Sequence, residues 1–145
     1  MATTNTDYRA MGSLELAATN IEIVKDAYRH RASGDFDGFS ANFADDAIAV
    51  DPNGLPYGGV YGGGRQGLLA LAKKAMESFE VFDWEIQEFG GGGDIVFVHI
   101  VMTFKPKGKP AYDHPIVELW RFRDRKVVEF RVFYFDTKLV SESLA

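Results

Sequence analysis

The residues of this chain that could do chemistry are mainly its 21 aspartates and glutamates, three histidines and six tyrosines, because the sequence contains no cysteine. The absence of cysteine excludes thiolate nucleophiles, disulfide bonds, cysteine-based zinc sites and iron–sulfur clusters. No His-x-x-x-His pair or carboxylate cluster has the spacing of a metal site, and no serine lies in a nucleophile-elbow motif. We therefore expect an activity that needs no metal and no other cofactor.

A glycine-rich run, GGVYGGG at residues 58–64, precedes a predicted helix and has the composition of a phosphate-binding loop. A true phosphate-binding loop ends in Gly-Lys followed by Ser or Thr, whereas this run ends in Gly64-Arg65. No strand–helix–strand unit of a dinucleotide-binding domain surrounds it. The run therefore predicts a turn-rich loop and not a nucleotide site.

Each histidine has a functional and a structural interpretation. His99 lies in an apolar strand pattern, where a titratable ring needs a partner or a cavity. His114 lies on the next predicted strand and is a candidate proton shuttle. Either could instead be a core histidine whose hydrogen bonds are satisfied. His30 comes late in a helix, where a cation is favourable.

Composition limits the partners of the protein. Its length of 145 residues fits one domain. The net charge of −5 is spread along the chain and gives no attraction for nucleic-acid phosphates or anionic lipid. Residues 1–12 lack the apolar segment of a secretory signal, and no apolar run is long enough to span a membrane. We expect a cytoplasmic protein that binds neither nucleic acid nor membrane.

The N-terminal segment predicts an arm followed by a helix. Residues 1–18 show no clear periodicity and predict a flexible N-terminal arm. Thr19 and Glu22 form a capping-box pattern, which predicts a helix from Thr19 to about Ser33. The folded domain would then span residues 19–145.

Two more helices are predicted in the first half of the chain. Asp35 can cap a short second helix, and a third helix begins near Arg65. Apolar residues at helical spacing form one stripe on each of these helices: Phe36, Phe39 and Phe43 on the second, and Leu68, Leu71, Ala72, Ala75, Met76 and Phe79 on the third.

The second half of the chain predicts strands. After a short strand at Ala47–Asp51, alternation begins at Phe82, Trp84 and Ile86. Three further strands follow, at Ile95–Phe104, Tyr112–Phe122 and Lys126–Phe135, and a tail helix begins near Lys138. The strand at 95–104 is apolar on both faces, which predicts a central strand covered on both sides. Helices followed by a strand meander favour an α+β fold with the helices on one face of the sheet.

Three segments carry a family resemblance. The run FADDAIAVDP at 43–52, the run PYGGVYGG at 56–63, and IVELWRF at 116–122 followed by KVVE at 126–129 resemble ketosteroid isomerases and SnoaL-like polyketide cyclases of the NTF2-like superfamily. The resemblance covers about residues 20–140. It implies a cone-like, strongly curved antiparallel sheet, with three helices from the N-terminal half packed on it, around a small-molecule pocket.

The same resemblance implies roles for two carboxyl groups. Asp51 occupies the position of the general base of ketosteroid isomerases, and Glu118 that of their protonated oxyanion-hole acid. Their helix tyrosine is not matched, because Ala27 falls there and Tyr28 comes one residue later. Without the resemblance, Asp51 could simply begin an Asp-Pro-Asn-Gly turn, and Glu118 could be an exposed strand residue.

If Glu118 points inward, strand alternation places His114 and Trp120 on the same face. We accordingly predict a pocket around the two carboxyl groups, lined by five further side chains: Tyr28, Tyr57, His99, His114 and Trp120.

The leading hypothesis is an acid–base enzyme, such as an isomerase, cyclase or dehydratase, acting on an apolar carbonyl compound of polyketide or steroid-like type. The main alternative is a domain that binds a small ligand without catalysis. An epoxide hydrolase would need an Asp–Arg–Asp arrangement near Arg121 or Arg131. Because both faces of the later strands carry apolar residues, we also predict a homodimer.

Overall fold

A curved, open sheet of six strands forms the body of the molecule, and helices pack on it. The computed structural model describes residues 2–145, with side chains from Leu14 onward. The helices are α1 (Ala2–Ala32), α2 (Phe36–Phe39), α3 (Arg65–Glu77) and α4 (Thr137–Ser143). The strands are β1 (Phe43–Asp51), β2 (Gly59–Tyr61), β3 (Phe79–Gly92), β4 (Ile95–Pro106), β5 (Tyr112–Arg123) and β6 (Lys126–Tyr134).

The strand order is β2-β1-β6-β5-β4-β3. β1 and β6 pair in parallel, and the other neighbouring strands pair antiparallel. Helices α1 and α3 pack against the sheet, α1 on β3 and β4 and α3 on β1 and β3. The α+β fold predicted from the sequence is confirmed.

The first helix is longer than its capping-box pattern predicts. It begins at Ala2, and the prediction of a start near Thr19 is wrong. The Thr19 hydroxyl donates a hydrogen bond to the carbonyl oxygen of Glu15, 3.2 Å away, so this side chain serves the helix interior and not a cap. Ala17 is already buried. That residues 1–18 act as a flexible arm stays a prediction, and Met1 lies outside the described residues.

Two phenylalanines assigned to helical stripes are strand residues instead. Phe43 begins β1 and pairs with Val127, because α2 ends at Phe39. Phe79 begins β3, where its ring stacks on that of Phe104 with centroids 4.6 Å apart. Helical spacing that continues across a turn does not distinguish the end of a helix from the start of a strand. Phe43 and Phe79 are buried as strand residues, as the inward stripe of a helix would also require.

β4 is central, with β3 and β5 on its two sides, as predicted. Its two faces differ in burial. The concave face carries Val96, Val98, Ile100, Met102 and Phe104, all of which are buried. On the convex face Phe97 is 41% exposed in the single chain. The prediction that both faces are covered is therefore wrong for the monomer.

The core on the concave side is aromatic. The Trp120 ring meets four other rings at centroid distances of 5.1–5.9 Å, mostly edge to face: Tyr28, Phe39, Phe43 and Phe130. Such pairs stabilise a core beyond their buried area.

No helix of the described part of the chain is long and apolar enough to cross a membrane.

The glycine-rich loop lets α3 approach β1 and β2. A Cβ atom on Gly64 would lie 2.6 Å from the carbonyl oxygen of Ala44. A Cβ atom on Gly67 would lie 2.6 Å from the carbonyl oxygen of Tyr61 and would also collide with that of Gly62. Both positions therefore need glycine for close backbone packing.

Candidate functional site

A cavity of about 300 Å³ lies between the concave face of the sheet and the helices. Its wall is largely apolar, and its polar members are Arg31, Asp51, Glu118 and Tyr134. The apolar lining comes from the loop after α1, from α2, from α3 and from the strands: Gly34, Phe36, Phe39, Leu68, Leu71, Ala72, Ala75, Met76, Phe82, Trp84, Met102, Ile116, Phe130 and Val132. An apolar pocket with a few convergent polar groups is the usual form of a small-molecule site.

Asp51 is the last residue of β1 and lies in this wall. Only 4% of its surface is exposed, and among the described residues its Oδ1 atom has no hydrogen-bond partner. Burial disfavours the charged carboxylate and raises the pKa of Asp51 to about 7. At neutral pH this carboxyl group can therefore both accept and release a proton.

Glu118 lies in the same wall, on β5, where Val98 and Val132 are its neighbours across the sheet. It is 4% exposed, and its Oε1 atom has no hydrogen-bond partner in the described part of the chain. Burial raises the pKa of Glu118 to about 8, and the nearby Trp120 indole opposes this rise only partly. The contact is not a full hydrogen bond, since Trp120 Nε1 stays unpartnered among the described atoms. Glu118 is therefore mainly protonated at neutral pH.

Tyr134 is a polar wall residue that the sequence analysis missed. Its hydroxyl oxygen lies 2.9 Å from that of Tyr57. Burial, together with the nearby charges of Asp51 and Glu118, raises the pKa of Tyr134 well above 10, so the hydroxyl keeps its proton. The pairing of β5 with β6 places Tyr134 near Glu118, because Tyr134 pairs with Ile116, two residues from Glu118. The sequence predicts both strands but not the register in which they pair.

Four of the five predicted pocket residues are buried beside the cavity without lining it. Tyr28 and Trp120 pack together in the aromatic core, 5.9 Å between ring centroids. Tyr57 is fully buried behind Tyr134. His114 accepts a hydrogen bond at Nε2 from the backbone N–H of Asp136, 3.2 Å away, and burial lowers its pKa. His114 thus stays neutral and holds the start of α4.

The prediction that His99 lines the pocket is wrong. His99 lies on the convex face of β4 with Phe97 and Val101, away from the cavity. Its Nδ1 atom is 3.1 Å from a carboxylate oxygen of Glu88. Strand alternation explains the error, because the concave face of β4 carries the even-numbered residues.

Arg121 and Arg131, near which an epoxide hydrolase would need its Asp–Arg–Asp arrangement, also lie outside the cavity. Arg121 and Arg131 both contact the Glu129 carboxylate, at 3.4 Å and 2.8 Å. The cavity wall contains Arg31 instead, and Arg31 forms no ion pair with Asp51 or Glu118. Among the side chains of residues 14–145, neither Arg31 nor Arg121 nor Arg131 lies between two carboxylates in the cavity wall.

Comparison with known proteins places the chain in a family. The model of the SnoaL-like domain matches residues 24–130. An NTF2-like protein from Burkholderia pseudomallei K96243 superposes with a TM-score of 0.78 at 22% identity, covering 87% of this chain and 97% of that chain. TerC, co-crystallised with polyporic acid, gives 0.76 at 22% identity, covering 86% and 97%.

A protein from Jannaschia sp. CCS1 that is called a SnoaL-like polyketide cyclase gives a TM-score of 0.71 at 18% identity, covering 88% of this chain and 93% of that chain. A search of curated proteins gives no significant match. At these identities the solved structures show the fold alone. The family model covers most of the chain, and the cavity lies where the resemblance implied a pocket. The chain belongs to the SnoaL-like domain family and has the NTF2-like fold.

Proposed function

We propose that the protein catalyses proton transfer next to a carbonyl group of an apolar small molecule, as an isomerase, cyclase or dehydratase does. The observation that supports this is the pair of buried carboxyl groups, Asp51 and Glu118, in the wall of one apolar cavity. Their pKa values are raised unequally, to about 7 and about 8. Such a pair can hold one ionised and one protonated carboxyl group at the same pH, a division of labour for which ketosteroid isomerases are the established example.

In this mechanism Asp51 is the general base. Its carboxylate takes a proton from the carbon next to the carbonyl, and the electron pair of that C–H bond moves toward the carbonyl oxygen to form an enolate. A base with a pKa near the working pH combines a useful ionised fraction with proton affinity. Return of the proton from Asp51 to another carbon would complete an isomerisation.

Glu118 and Tyr134 are the hydrogen-bond donors in the proposal. Both hold their protons at neutral pH, and both lie in the wall that Asp51 shares. A hydrogen bond to the developing enolate oxygen is worth more in a water-poor cavity than in water. Tyr134 thereby takes the role that the helix tyrosine has in ketosteroid isomerases, since Tyr28 is out of register and does not line the cavity.

The ligand class follows from the wall. Most of the lining is apolar, and several aromatic rings contribute to it. TerC was crystallised with polyporic acid, and the Jannaschia protein is called a polyketide cyclase. Both names support a ring-containing organic compound as the ligand.

The test is exchange of the α-protons of 2-tetralone with deuterated solvent, followed by NMR at pH 7. We expect the protein to accelerate exchange and Asp51→Asn to lower the protein-catalysed rate by about 100-fold or more, the usual contribution of a general base. Asp45→Asn is the matched control, because Asp45 lies exposed on the same strand. It should leave the rate unchanged.

Unchanged exchange in Asp51→Asn would remove Asp51 from the mechanism. Saturable binding of 2-tetralone without any exchange would instead favour the domain that binds a ligand without catalysis. Thermal stabilisation by the ligand separates these outcomes, since it follows affinity and not turnover.

We also propose that the convex sheet face pairs with a second copy of the chain. Phe97, Phe133 and Phe135 are 41%, 48% and 80% exposed there or at its rim. Arg131 and Glu129 supply both signs of charge on the same face. In a two-fold symmetric interface the same surface of each copy meets itself. A surface that carries both positive and negative side chains can then place opposite charges against each other.

A further inference from the structure

Arg31 is a cation in the cavity wall that the proposed proton transfer does not use. It lies in the last turn of α1. Its guanidinium carbon is 5.1 Å from the centroid of the Trp84 ring, 5.4 Å from that of Phe39 and 6.0 Å from that of Tyr28. These aromatic faces hold the guanidinium group in one place and partly compensate its charge.

No carboxylate pairs with Arg31 among the side chains of residues 14–145. Other arginines of the chain do have such partners: Arg29 lies 3.6 Å from Asp26, and Arg65 lies 2.7 Å from Asp37. The desolvated position of Arg31 lowers its pKa to about 10, which still leaves it charged at neutral pH. A desolvated cation without a counter-ion is unfavourable, and an anionic ligand would remove that cost.

The position of Arg31 in the cavity differs from that of the carboxyl groups. Asp51 and Glu118 are buried, whereas Gly34 and Met76, which line the same cavity, are exposed to solvent. Arg31 is half-buried, and its chain neighbours in the lining are on the exposed side. Arg31 is therefore more exposed to solvent than the two acids in the same wall.

A ligand whose carbonyl meets the two buried acids can place another polar group at Arg31, because all three side chains line the same cavity. The planar guanidinium group offers several N–H donors in one plane, which suits the two oxygens of a carboxylate or an ionised enol.

We propose that Arg31 binds an acidic oxygen group of the ligand, so that the natural ligand is a ring compound carrying a carboxylate or an acidic enol some distance from its reacting carbonyl. This inference rests on the proposed function only for the placement of the carbonyl. The anion-binding role of Arg31 stands on its place in the cavity wall, on its contacts with three aromatic rings and on its lack of a carboxylate partner among the side chains of residues 14–145.

The test is calorimetric titration at pH 6 with indole-3-acetate and with indole-3-acetamide, which share the ring and differ in charge. At this pH Asp51 and Glu118 are mostly protonated and do not repel the anion. We expect indole-3-acetate to bind about tenfold or more tightly than the amide, the usual effect of hydrogen bonds to a charged group.

Arg31→Met keeps an unbranched apolar stem and removes the charged guanidinium group. It should make the two affinities equal while changing that of indole-3-acetamide by less than about threefold. Arg29→Met is the matched control, because Arg29 is exposed on the same helix and should keep the preference. Circular dichroism confirms folding of each variant, and the wild-type comparison is informative without any variant.

Three results would overturn the proposal: no saturable binding of indole-3-acetate at millimolar concentration, equal affinities for the two ligands in the wild type, or a preference that survives in Arg31→Met. The outcome is separable from that of the exchange experiment, because neither probe has to react. Loss of exchange catalysis with an intact anion preference would refute the proton-transfer function and leave the Arg31 site in place.

Discussion

Asp51 and Glu118 keep their protons in the folded protein at pH values at which carboxyl groups of the unfolded chain are ionised. Unfolded carboxyl groups ionise near pH 4, whereas burial raises the pKa of these two to about 7 and about 8. Between pH 4 and pH 8 the folded state therefore holds protons that the unfolded state has released. The free energy of unfolding must fall as the pH rises through this window.

We predict that the wild-type protein is less stable toward urea at pH 8 than at pH 5, and that Glu118→Gln reduces this loss. Each buried carboxyl contributes on the order of 3 kcal/mol to it, at about 1.4 kcal/mol per pKa unit. Below pH 4 both states are protonated and the effect disappears. The measurement is urea unfolding of wild type and variant at both pH values.

Glu129→Gln is the control for that experiment. Its carboxylate lies between Arg131 and Arg121, and the Arg131 contact in particular lowers its pKa. This variant should retain the loss of stability between pH 5 and pH 8. If Glu118→Gln and the wild type lost equal stability, the raised pKa of Glu118 would be wrong.

Asp51 and Glu118 line one wall, and strand alternation together with the resemblance was enough to expect them there. Their catalytic roles stay a prediction. Tyr134 and Arg31 were missed for a different reason. Whether they meet the acids depends on the β5–β6 register and on how α1 crosses the sheet, and neither follows from local pattern. His99 was predicted to line the pocket but lies on the other face of β4, since strand alternation places it with Phe97 and Val101.

Among the elements, α3 forms one side of the cavity and depends on a glycine for its position. It contributes Leu68, Leu71 and Ala75 to the wall. Gly67, one residue before Leu68, sets how closely the helix approaches the carbonyl oxygens of the preceding loop. Close backbone packing thus explains Gly67 and, within the glycine-rich run, Gly58 and Gly64, whereas a Cβ atom on Gly62 would meet open space.

We predict that Gly67→Ala lowers the stability by about 1–3 kcal/mol, the usual cost of overpacking. Alanine alone would favour a helix by about 1 kcal/mol relative to glycine, but the new Cβ atom would meet backbone oxygens that cannot rotate away. Thermal unfolding followed by circular dichroism is the measurement. Gly62→Ala is the control, since a Cβ atom there would meet nothing within 4 Å. A stabilised Gly67→Ala would contradict the packing argument.

Sequence patterns predicted every helix and strand of the described chain except β2, but they predicted several ends of these elements wrongly. Polar and glycine-rich breaks delimited α2, α3 and the strands of the second half. The prediction of an end was wrong where an apolar side chain would be buried in either a helix or a strand, as at Phe43. It was also wrong where a residue with the sequence pattern of a cap lies inside a longer helix, as at Thr19. The three-residue β2 strand offers no alternation to recognise and forms because it can pair with β1.

For the whole molecule, the proposed dimer gives a direct prediction. Phe133→Lys should place a charge in the middle of the convex face and shift the protein from dimer to monomer at micromolar concentration. Val60→Lys is the control, because Val60 is also exposed but lies on the edge strand β2. Analytical ultracentrifugation measures both. A wild-type protein that sediments only as a monomer would refute the dimer.

The parallel pairing of β1 with β6 also matters during synthesis. The paired residues, such as Val50 and Arg131, are about eighty positions apart in the chain. Asp51 leaves the ribosome early, but the strand that fixes it on one side is made among the last. Until then β1 has an open hydrogen-bonding edge, which is available to other chains. Asp51, the earlier of the two cavity acids in the sequence, therefore reaches its final place only after β6 has been made.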